Sequence, residues 1–214
     1  MTRQIKVDIF SDPVCPWCLV GLHRFDQAVA KLPKDVVVDI VHHPFLLDVY
    51  APIEGEDVFE MLTRKYGRDP SEMWNNLERA ANDSGLDLDM RKQRWRYPSQ
   101  RAQVLIAAAR DKGTQHALAQ DIGHACYVEA QNISDLDVLG EIAARHGFEK
   151  EAAKGFAARE ELQSAIERAA QSASAQGIKG VPFFVFANKY ALSGAQPEDV
   201  LNQVMETVLA ESLH

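Results

Sequence analysis

Strand-forming stretches occur only near the two ends of the chain, and this constrains the fold more than any other feature. Alternating apolar residues at 5–10 and a β-branched segment at 36–42 indicate two strands, separated by a helical pattern over 17–32. Residues 182–187 and 190–193 are typical of a hairpin, and a helix follows from about Pro197. Residues 56–176 have helical periodicity with almost no strand signal. The predicted order is therefore β-α-β, a helical block, and β-β-α.

This order predicts an α/β protein in which a small sheet domain carries an inserted helical domain. Residues 1–55 and 177–214 together supply the strands, and residues 56–176 form the insertion. The connection between the first two strands is long enough for a right-handed βαβ unit. Glycines mark the predicted ends of the helices in the insertion: Gly67, Gly85, Gly113, Gly147 and Gly177.

Composition excludes several classes of partner. The 214 residues carry a net charge of −8, and an acidic surface of this kind disfavours nucleic acid and anionic membranes. No stretch approaches about 18 consecutive apolar residues. The first residues, MTRQIKVDIF, lack the uninterrupted apolar segment of a signal peptide. Three cysteines are too few for a disulfide-stapled secreted domain. We therefore expect a cytoplasmic protein.

The segment Cys15-Pro16-Trp17-Cys18 lies where the first strand gives way to the first helix. A helix start offers unpaired N–H groups and partial positive charge, which lower the pKa of a nearby thiol from its usual ~8.5. We expect the Cys15 sulfur to accept a hydrogen bond from the Cys18 N–H, as a capping serine would. Cys18 lies one turn further along and stays closer to an ordinary thiol. The predicted roles are attack by Cys15 and resolution by Cys18.

Other interpretations of the cysteine pair stay open at this point. The pair is also compatible with two inert core residues, or with half of a zinc site completed by further ligands. His42 and His43 are the obvious additional ligands, but adjacent strand residues point to opposite faces, so at most one of them joins easily. Cys126 is interpreted as a small core residue, with an auxiliary redox role as the alternative. The scattered His23, His116, His124 and His146 are interpreted as surface or hydrogen-bonded helix residues.

Four segments resemble the DsbA-like thioredoxin family, and within it the FrnE-type branch. They are DPVCPWCLVG after the first strand, HHPFLLD after the second, NISDLDVLGEIA in the helical block, and GIKGVPFFVFANKYALSGAQP near the end. The segments span most of the chain in the expected order. The resemblance implies a thioredoxin-like fold with a large all-helical insertion that covers the active site. It also implies a cis bond at Pro182 that places the Val181 backbone beside Cys15.

The activity implied by the resemblance is thiol–disulfide oxidoreduction, often with protein disulfide isomerisation. Cys15 and Cys18 would be the catalytic pair, and their disulfide the only redox group. Val181 and Pro182 would seat an extended substrate by pairing with exposed main chain. We further expect Trp17 and Phe45, with residues of the helical block, to line an apolar groove. Related DsbA proteins often carry histidine where Trp17 stands, and this difference argues against a strong oxidant.

A neighbouring branch supplies the alternative function. Kappa-class glutathione transferases and hydroxychromene-carboxylate isomerases resemble this chain in layout but typically carry serine at the position of Cys15. The alternative is therefore a glutathione-dependent isomerase or transferase acting on a small aromatic acid, although Cys18 has no evident purpose in that mechanism. For the dithiol enzyme we expect protein or small-molecule thiols and disulfides as partners, with glutathione as a candidate reductant. We expect no metal, nucleic acid or membrane, and a homodimer is compatible with the sequence.

Overall fold

The two ends of the chain build one sheet in the computed structural model, which describes residues 3–211. The strands in chain order are β1 (Arg3–Ser11), β2 (Val36–Pro44), β3 (Glu56–Asp57), β4 (Trp95–Arg96), β5 (Phe183–Phe186) and β6 (Tyr190–Ser193). The main sheet has the order β2-β1-β5-β6. β1 pairs parallel with β2 and antiparallel with β5, and β5 and β6 form an antiparallel hairpin. The thioredoxin-like arrangement of strands predicted from the sequence is confirmed.

Helices occupy most of the chain between β2 and β5. The helices are α1 (Pro16–Ala30), α2 (Val58–Tyr66), α3 (Ser71–Asn82), α4 (Gln100–Ala108), α5 (Gln115–Tyr127), α6 (Leu136–Ala144), α7 (Lys150–Ala157), α8 (Glu160–Ala175) and α9 (Glu198–Glu211), with a 3-10 turn at Ala109–Lys112. Gly67 and Gly113 end their helical segments in the left-handed conformation. Asp135 caps α6 by accepting from the Asp137 and Val138 N–H groups. Among these residues 3–211, no helix is both long and apolar enough to span a membrane.

One apolar core lies between the sheet and the helices α1 and α9. Ile5, Val7 and Ile9 of β1 are fully buried, because their side chains face a layer that both helices cover. Phe184 of β5 stacks on Phe25 of α1, with ring centroids 5.5 Å apart. The remaining members come from α1, β5 and α9: Leu22, Ala28, Phe186, Leu201, Met205, Val208 and Leu209. This core joins the first and last segments of the chain.

A second apolar core lies among the helices of the insertion and extends to α1. Its fully buried members include Leu105 of α4, Leu118 and Ile122 of α5, and Leu139 of α6. Val14, Leu19 and Val20 belong to the same cluster. Thus α1 packs against the sheet on one side and against the helical block on the other. Because α1 serves both cores, the division into 1–55 with 177–214 and 56–176 stays a prediction.

Two elements of the insertion differ from the sequence prediction. β3 and β4 pair as a short antiparallel ladder, Glu56 opposite Arg96 and Asp57 opposite Trp95. Two-residue strands have no recognisable periodicity, so the sequence pattern could not reveal them. The helix α7 was also absent from the prediction. Its segment KEAAKGFA combines short length with few large apolar residues, which leaves little periodic signal.

Gly21 of α1 allows the helix to approach the segment before β5. A Cβ atom at Gly21 would lie 2.6 Å from the Pro182 Cγ atom and 3.4 Å from the Ala195 Cα atom. The first distance is shorter than real Cβ contacts, and a proline ring cannot rotate away. The absence of a side chain at Gly21 is therefore what lets Pro182 pack beside the amino-terminal half of α1.

We expect Gly21→Ala to lower the free energy of unfolding by about 1–3 kcal/mol, because the added methyl group overpacks against Pro182. Alanine in a helix interior would otherwise stabilise by up to about 1 kcal/mol. Gly155→Ala on α7 is the matched control, since a Cβ there meets nothing within 4 Å. Urea unfolding of both variants checks this prediction. Equal stabilisation by the two substitutions would contradict the contact.

Candidate active site

The turn between β1 and α1 brings Cys15 to the start of the helix. The Asp12 carboxylate accepts from the Val14 N–H (3.2 Å), and the Asp12 carbonyl accepts from the Cys15 N–H (2.9 Å). Pro16 occupies the first helical position, where its missing N–H costs no hydrogen bond. Cys15 is the N-cap residue, in extended conformation. The helix therefore begins directly at the first cysteine, as predicted.

The Cys15 sulfur faces the segment that precedes β5. Its Sγ atom lies 3.7 Å from the Val181 carbonyl oxygen, and the Val181–Pro182 bond is cis. Only 6% of Cys15 is exposed. The juxtaposition of Cys15 with the Val181 backbone, which the family resemblance implied, is thus present in the structure.

The predicted hydrogen bond from the Cys18 N–H to the Cys15 sulfur is wrong. The Cys18 N–H donates instead to the Cys15 carbonyl oxygen (2.9 Å), and the Cys15 side chain makes no capping bond. The backbone carbonyl of Cys15 closes the first turn by itself, which leaves the sulfur free to face Val181. The positive end of the α1 dipole still lies beside the sulfur.

Cys18 is enclosed behind Cys15. It is 2% exposed, and burial, followed by its hydrogen bond with Cys15, raises the pKa of the Cys18 thiol well above its usual value. A main-chain hydrogen bond from Asp12 opposes this rise. The two cysteines therefore differ in environment: the Cys15 sulfur faces the Val181 segment, whereas Cys18 is more deeply buried and its thiol has a raised pKa.

Asp12 is a buried acid that sequence reasoning missed. Its side chain is fully buried and accepts hydrogen bonds from the Val14 N–H and from the Leu47 N–H (2.8 Å). Burial raises the pKa of Asp12 to about 6, although these bonds and a further one from the Ser99 side chain oppose the rise. Asp12 fixes the turn before Cys15 to the segment after β2. The only sequence signal was an aspartate between a strand and the cysteine motif.

An apolar cavity of about 230 Å³ opens beside Cys15. Trp17, Leu47, Tyr66 and Trp95 line it and are each more than a third exposed; we call these four residues the apolar rim. Deeper walls come from α2, α3, α5 and the segment before β4, and include Met61, Met73, Leu77, Met90 and Tyr127. The helical block thus covers the cysteine motif, and Trp17 lies where a groove residue was predicted.

Phe45 lies elsewhere. It is buried in a small cluster with Ala173 and Ile178, against which Val181 and Phe183 pack. It does not line the cavity, so its predicted contact with substrate is replaced by a packing role. Phe45 supports the Val181 segment from behind. The sequence alone does not distinguish whether an apolar residue after a strand will line a cavity or pack in a buried cluster.

Cys126 is held in the inner wall of the cavity. Gln93 donates to the Cys126 carbonyl oxygen (2.6 Å) and approaches its sulfur at 3.7 Å. Cys126 is 3% exposed, and burial raises the pKa of its thiol to about 12. These contacts favour the structural interpretation of Cys126 over an auxiliary redox role, because a thiol without ionisation is a poor nucleophile.

The two strand histidines point in opposite directions, as alternation requires. His42 meets Ser11 and His116, whereas His43 pairs with Asp8 at 2.7 Å. Neither lies in a group with the cysteines, and residues 3–211 contain no cluster of three His, Cys, Asp or Glu side chains suited to a metal ion. The zinc interpretation therefore has no ligand set within the described part of the chain.

The chain matches known proteins over nearly its whole length. The model of the DSBA-like thioredoxin domain matches residues 6–206. The probable DsbA oxidoreductase SCO1869 from Streptomyces coelicolor is 30% identical, with a TM-score of 0.86 over 97% of this chain and 91% of that chain. The uncharacterized protein YwbO of Bacillus subtilis (strain 168) is 26% identical over 207 residues, 96% of each chain.

A further solved structure shares the fold at lower identity. It is the cytosolic disulfide reductase DsbM from Pseudomonas aeruginosa with GSH, 20% identical, with a TM-score of 0.67 over 96% of this chain and 99% of that chain. The family model spans most of the chain, including the segment in which Cys15 is the N-cap residue of α1. The protein therefore belongs to the DsbA-like thioredoxin family of disulfide oxidoreductases.

Proposed function

We propose that this protein catalyses thiol–disulfide exchange, with Cys15 as the attacking thiol and Cys18 as the resolving thiol. The observation that carries the proposal is the position of the Cys15 sulfur, at the start of α1 and 3.7 Å from the Val181 carbonyl oxygen. A disulfide in an extended substrate can pair with the Val181 main chain and present one sulfur to Cys15. The thiolate of Cys15 is the form that attacks.

The exchange proceeds in two displacements. The Cys15 thiolate attacks one substrate sulfur, so that a mixed disulfide forms and the other substrate sulfur leaves with the electron pair. Cys18 then attacks the Cys15 sulfur, the internal disulfide forms, and the second substrate thiolate leaves. Alternatively, the mixed disulfide rearranges within the substrate and isomerises it. No cofactor beyond the Cys15–Cys18 pair is proposed, and glutathione is the candidate reductant that restores the thiols.

Asp12 is the group we assign to receive the Cys18 proton during the second displacement. A small cavity is lined by both residues, and the negative charge of Asp12 contributes to the raised pKa of Cys18. With its own pKa at about 6, the Asp12 carboxylate is ionised at neutral pH and can still accept a proton. A general base works best when its pKa lies near the operating pH.

The apolar cavity and rim indicate the kind of substrate. Tyr50 and Ile53 add exposed apolar surface close in sequence to Leu47 of the rim. Such a surface suits an apolar polypeptide segment or a small thiol with an apolar group. One protein of the same fold is a cytosolic disulfide reductase whose structure contains GSH. From this similarity we propose for the present protein a cytoplasmic location and reductase or isomerase activity, since the cytoplasm keeps thiols reduced.

The glutathione-dependent isomerase or transferase is the alternative. This mechanism requires a single nucleophile or glutathione-binding group at position 15, and Cys18 has no role in it. The hydrogen bond between the two cysteines and the buried acid beside Cys18 favour the dithiol reaction. Isomerase activity on a hydroxychromene substrate that survived Cys18→Ser would favour the alternative.

We expect Cys15→Ser to abolish the acceleration by this protein of insulin disulfide reduction by dithiothreitol, because the attacking sulfur is lost. Cys18→Ser should retain the first displacement and accumulate a mixed disulfide at Cys15, which mass spectrometry detects. Cys126→Ser is the matched control and should keep wild-type activity. Full activity of Cys15→Ser would refute the assigned roles.

We expect Val181→Lys, combined with Cys18→Ala, to reduce trapping of a disulfide-containing peptide at least about tenfold, because a bulky charge obstructs substrate pairing. Val37→Lys in the same background is the control, since Val37 is a 49%-exposed valine on β2. Trapping is quantified by mass spectrometry, and thermal unfolding verifies that both variants fold. Equal trapping in the two variants would remove Val181 from the substrate site.

The pKa of Asp12 predicts how stability depends on pH. Folding raises this pKa from 3.8 to about 6. The Asp12 side chain therefore stabilises the folded state in full below pH 3.8, and this stabilisation is lost as the pH rises through about 6. We therefore expect the unfolding free energy of Asp12→Asn, minus that of the wild type, to increase by about 3 kcal/mol across this range. Urea unfolding at a series of pH values measures the difference. A difference that does not vary with pH would show that Asp12 ionises normally.

A further inference from the structure

A row of hydrogen-bonded polar side chains runs from the end of β1 to the protein surface. The Ser11 Oγ atom lies 3.5 Å from His42 Nδ1, His42 Nε2 lies 2.8 Å from His116 Nδ1, and His116 Nε2 lies 2.7 Å from Asp26 Oδ1. Ser11 and His42 are 7% and 6% exposed, whereas the Asp26 side chain is 41% exposed. We call these four residues the polar chain. It links β1, β2, α5 and α1.

Neighbouring amides hold the polar chain in place. The Gln115 side chain accepts from the His42 N–H (2.9 Å) and donates to the His42 carbonyl oxygen (3.1 Å). Gln120 donates to the second oxygen of Asp26. Both imidazole rings therefore have fixed positions, and every ring nitrogen has a partner. Nothing in the two sulfur displacements uses this network.

The partners fix the direction in which protons are donated. Asp26 accepts from His116 Nε2–H, so the neutral His116 ring has its lone pair at Nδ1. His42 then donates from Nε2 and accepts from the Ser11 hydroxyl at Nδ1. When a proton enters at Ser11, each donor in the polar chain can therefore pass its own proton to the next acceptor. One proton then leaves at Asp26. Burial holds the pKa of His42 well below its usual value, and the neighbouring His116 and His43 lower it further, so His42 is neutral between transfers.

The inner end of the polar chain lines the same small cavity as Cys18. Ser11, Asp12 and Cys18 line one small cavity of about 10 Å³, close to the least space that a water molecule requires. These side chains offer a hydroxyl, a carboxylate and a thiol. A single water there would have enough polar partners to bridge them.

We propose that the polar chain is a proton relay that connects the buried Cys18–Asp12 pair with solvent at Asp26. The inference rests on the proposed dithiol function. When Cys18 attacks, the Cys15–Cys18 bond forms, the Cys15–substrate bond breaks, and the electron pair leaves on the substrate sulfur. The Cys18 proton passes to Asp12 and then through Ser11, His42 and His116 to Asp26 and water. Reduction of the disulfide returns one proton along the same path, which resets both rings.

The test uses 2,2′-dithiodipyridine as the oxidant, because each sulfur displacement on it releases one absorbing thiopyridone. The first release is attack by Cys15 and depends on reagent concentration. The second release results from formation of the Cys15–Cys18 disulfide and does not depend on reagent concentration. Stopped-flow absorbance therefore separates the step that needs the relay from the step that does not.

We expect His116→Ala to slow the second release at least about tenfold and to leave the first unchanged, since a positioned proton-transfer group contributes this much or more. Added imidazole should restore the rate. Asp26→Asn keeps a hydrogen-bond acceptor but not a proton acceptor, and it should also slow the second release. His146→Ala is the control, because His146 makes a similar bond to Asp121 (2.8 Å) outside the polar chain.

The outcomes separate the two claims. The relay is overturned if the wild type releases both thiopyridones and His116→Ala and Asp26→Asn match its second rate. It is also overturned if His116→Ala is slow without imidazole rescue while Asp26→Asn is as fast as the wild type, since that pattern indicates a structural role. Failure of the wild type to give any second release would instead refute the dithiol function, and the relay with it.

Discussion

The contact between the first turn of α1 and the Val181–Pro182 segment is the constraint on which the site depends. The Cys15 sulfur and the Val181 carbonyl oxygen are 3.7 Å apart although 166 positions separate them in the chain. The contact exists because β1, which leads into Cys15, pairs directly with β5, which follows Pro182. It also requires Gly21, since any side chain there would push Pro182 away.

Behind this contact, the site is arranged as layers of increasing burial. Cys15 meets the loop and the cavity, Cys18 lies deeper, and Asp12 is fully enclosed. A buried thiol beside a buried acid is an unfavourable arrangement for stability, because both groups lose hydration. In the proposed reaction, the Cys18 thiol stays protonated until it attacks, and the Asp12 carboxylate beside it accepts the proton. In the relay that we propose, the polar chain gives the enclosed proton a path to solvent.

The sequence was sufficient for features that depend on local pattern. The cysteine pair at a strand–helix junction, the strands at both ends and the helix ends at Gly67 and Gly113 all follow from periodicity and backbone preference. Local reasoning failed at the Cys15 cap, because the backbone carbonyl competes successfully for the Cys18 N–H. It also failed for Phe45, whose position depends on which elements pack around it.

Other features that depend on tertiary packing could not be predicted from local sequence pattern. Nothing near Asp12 in the sequence indicates that Leu47 will supply a second N–H donor. The sequence suggests His42 as a candidate zinc ligand and His116 as a surface or hydrogen-bonded helix residue, but only the packing of α5 against β2 brings the two rings together. Their alignment with Asp26 of α1 requires three elements to be in place.

The central claim is that Cys15 and Cys18 form one redox couple from which Cys126 is excluded. The most direct test equilibrates the protein with defined ratios of reduced and oxidised glutathione, then quenches, alkylates and maps the cysteine peptides by mass spectrometry. The account predicts a single transition in which a Cys15–Cys18 disulfide forms while Cys126 stays alkylated as a free thiol. A bridge that involves Cys126, or three free thiols at every ratio, would contradict it.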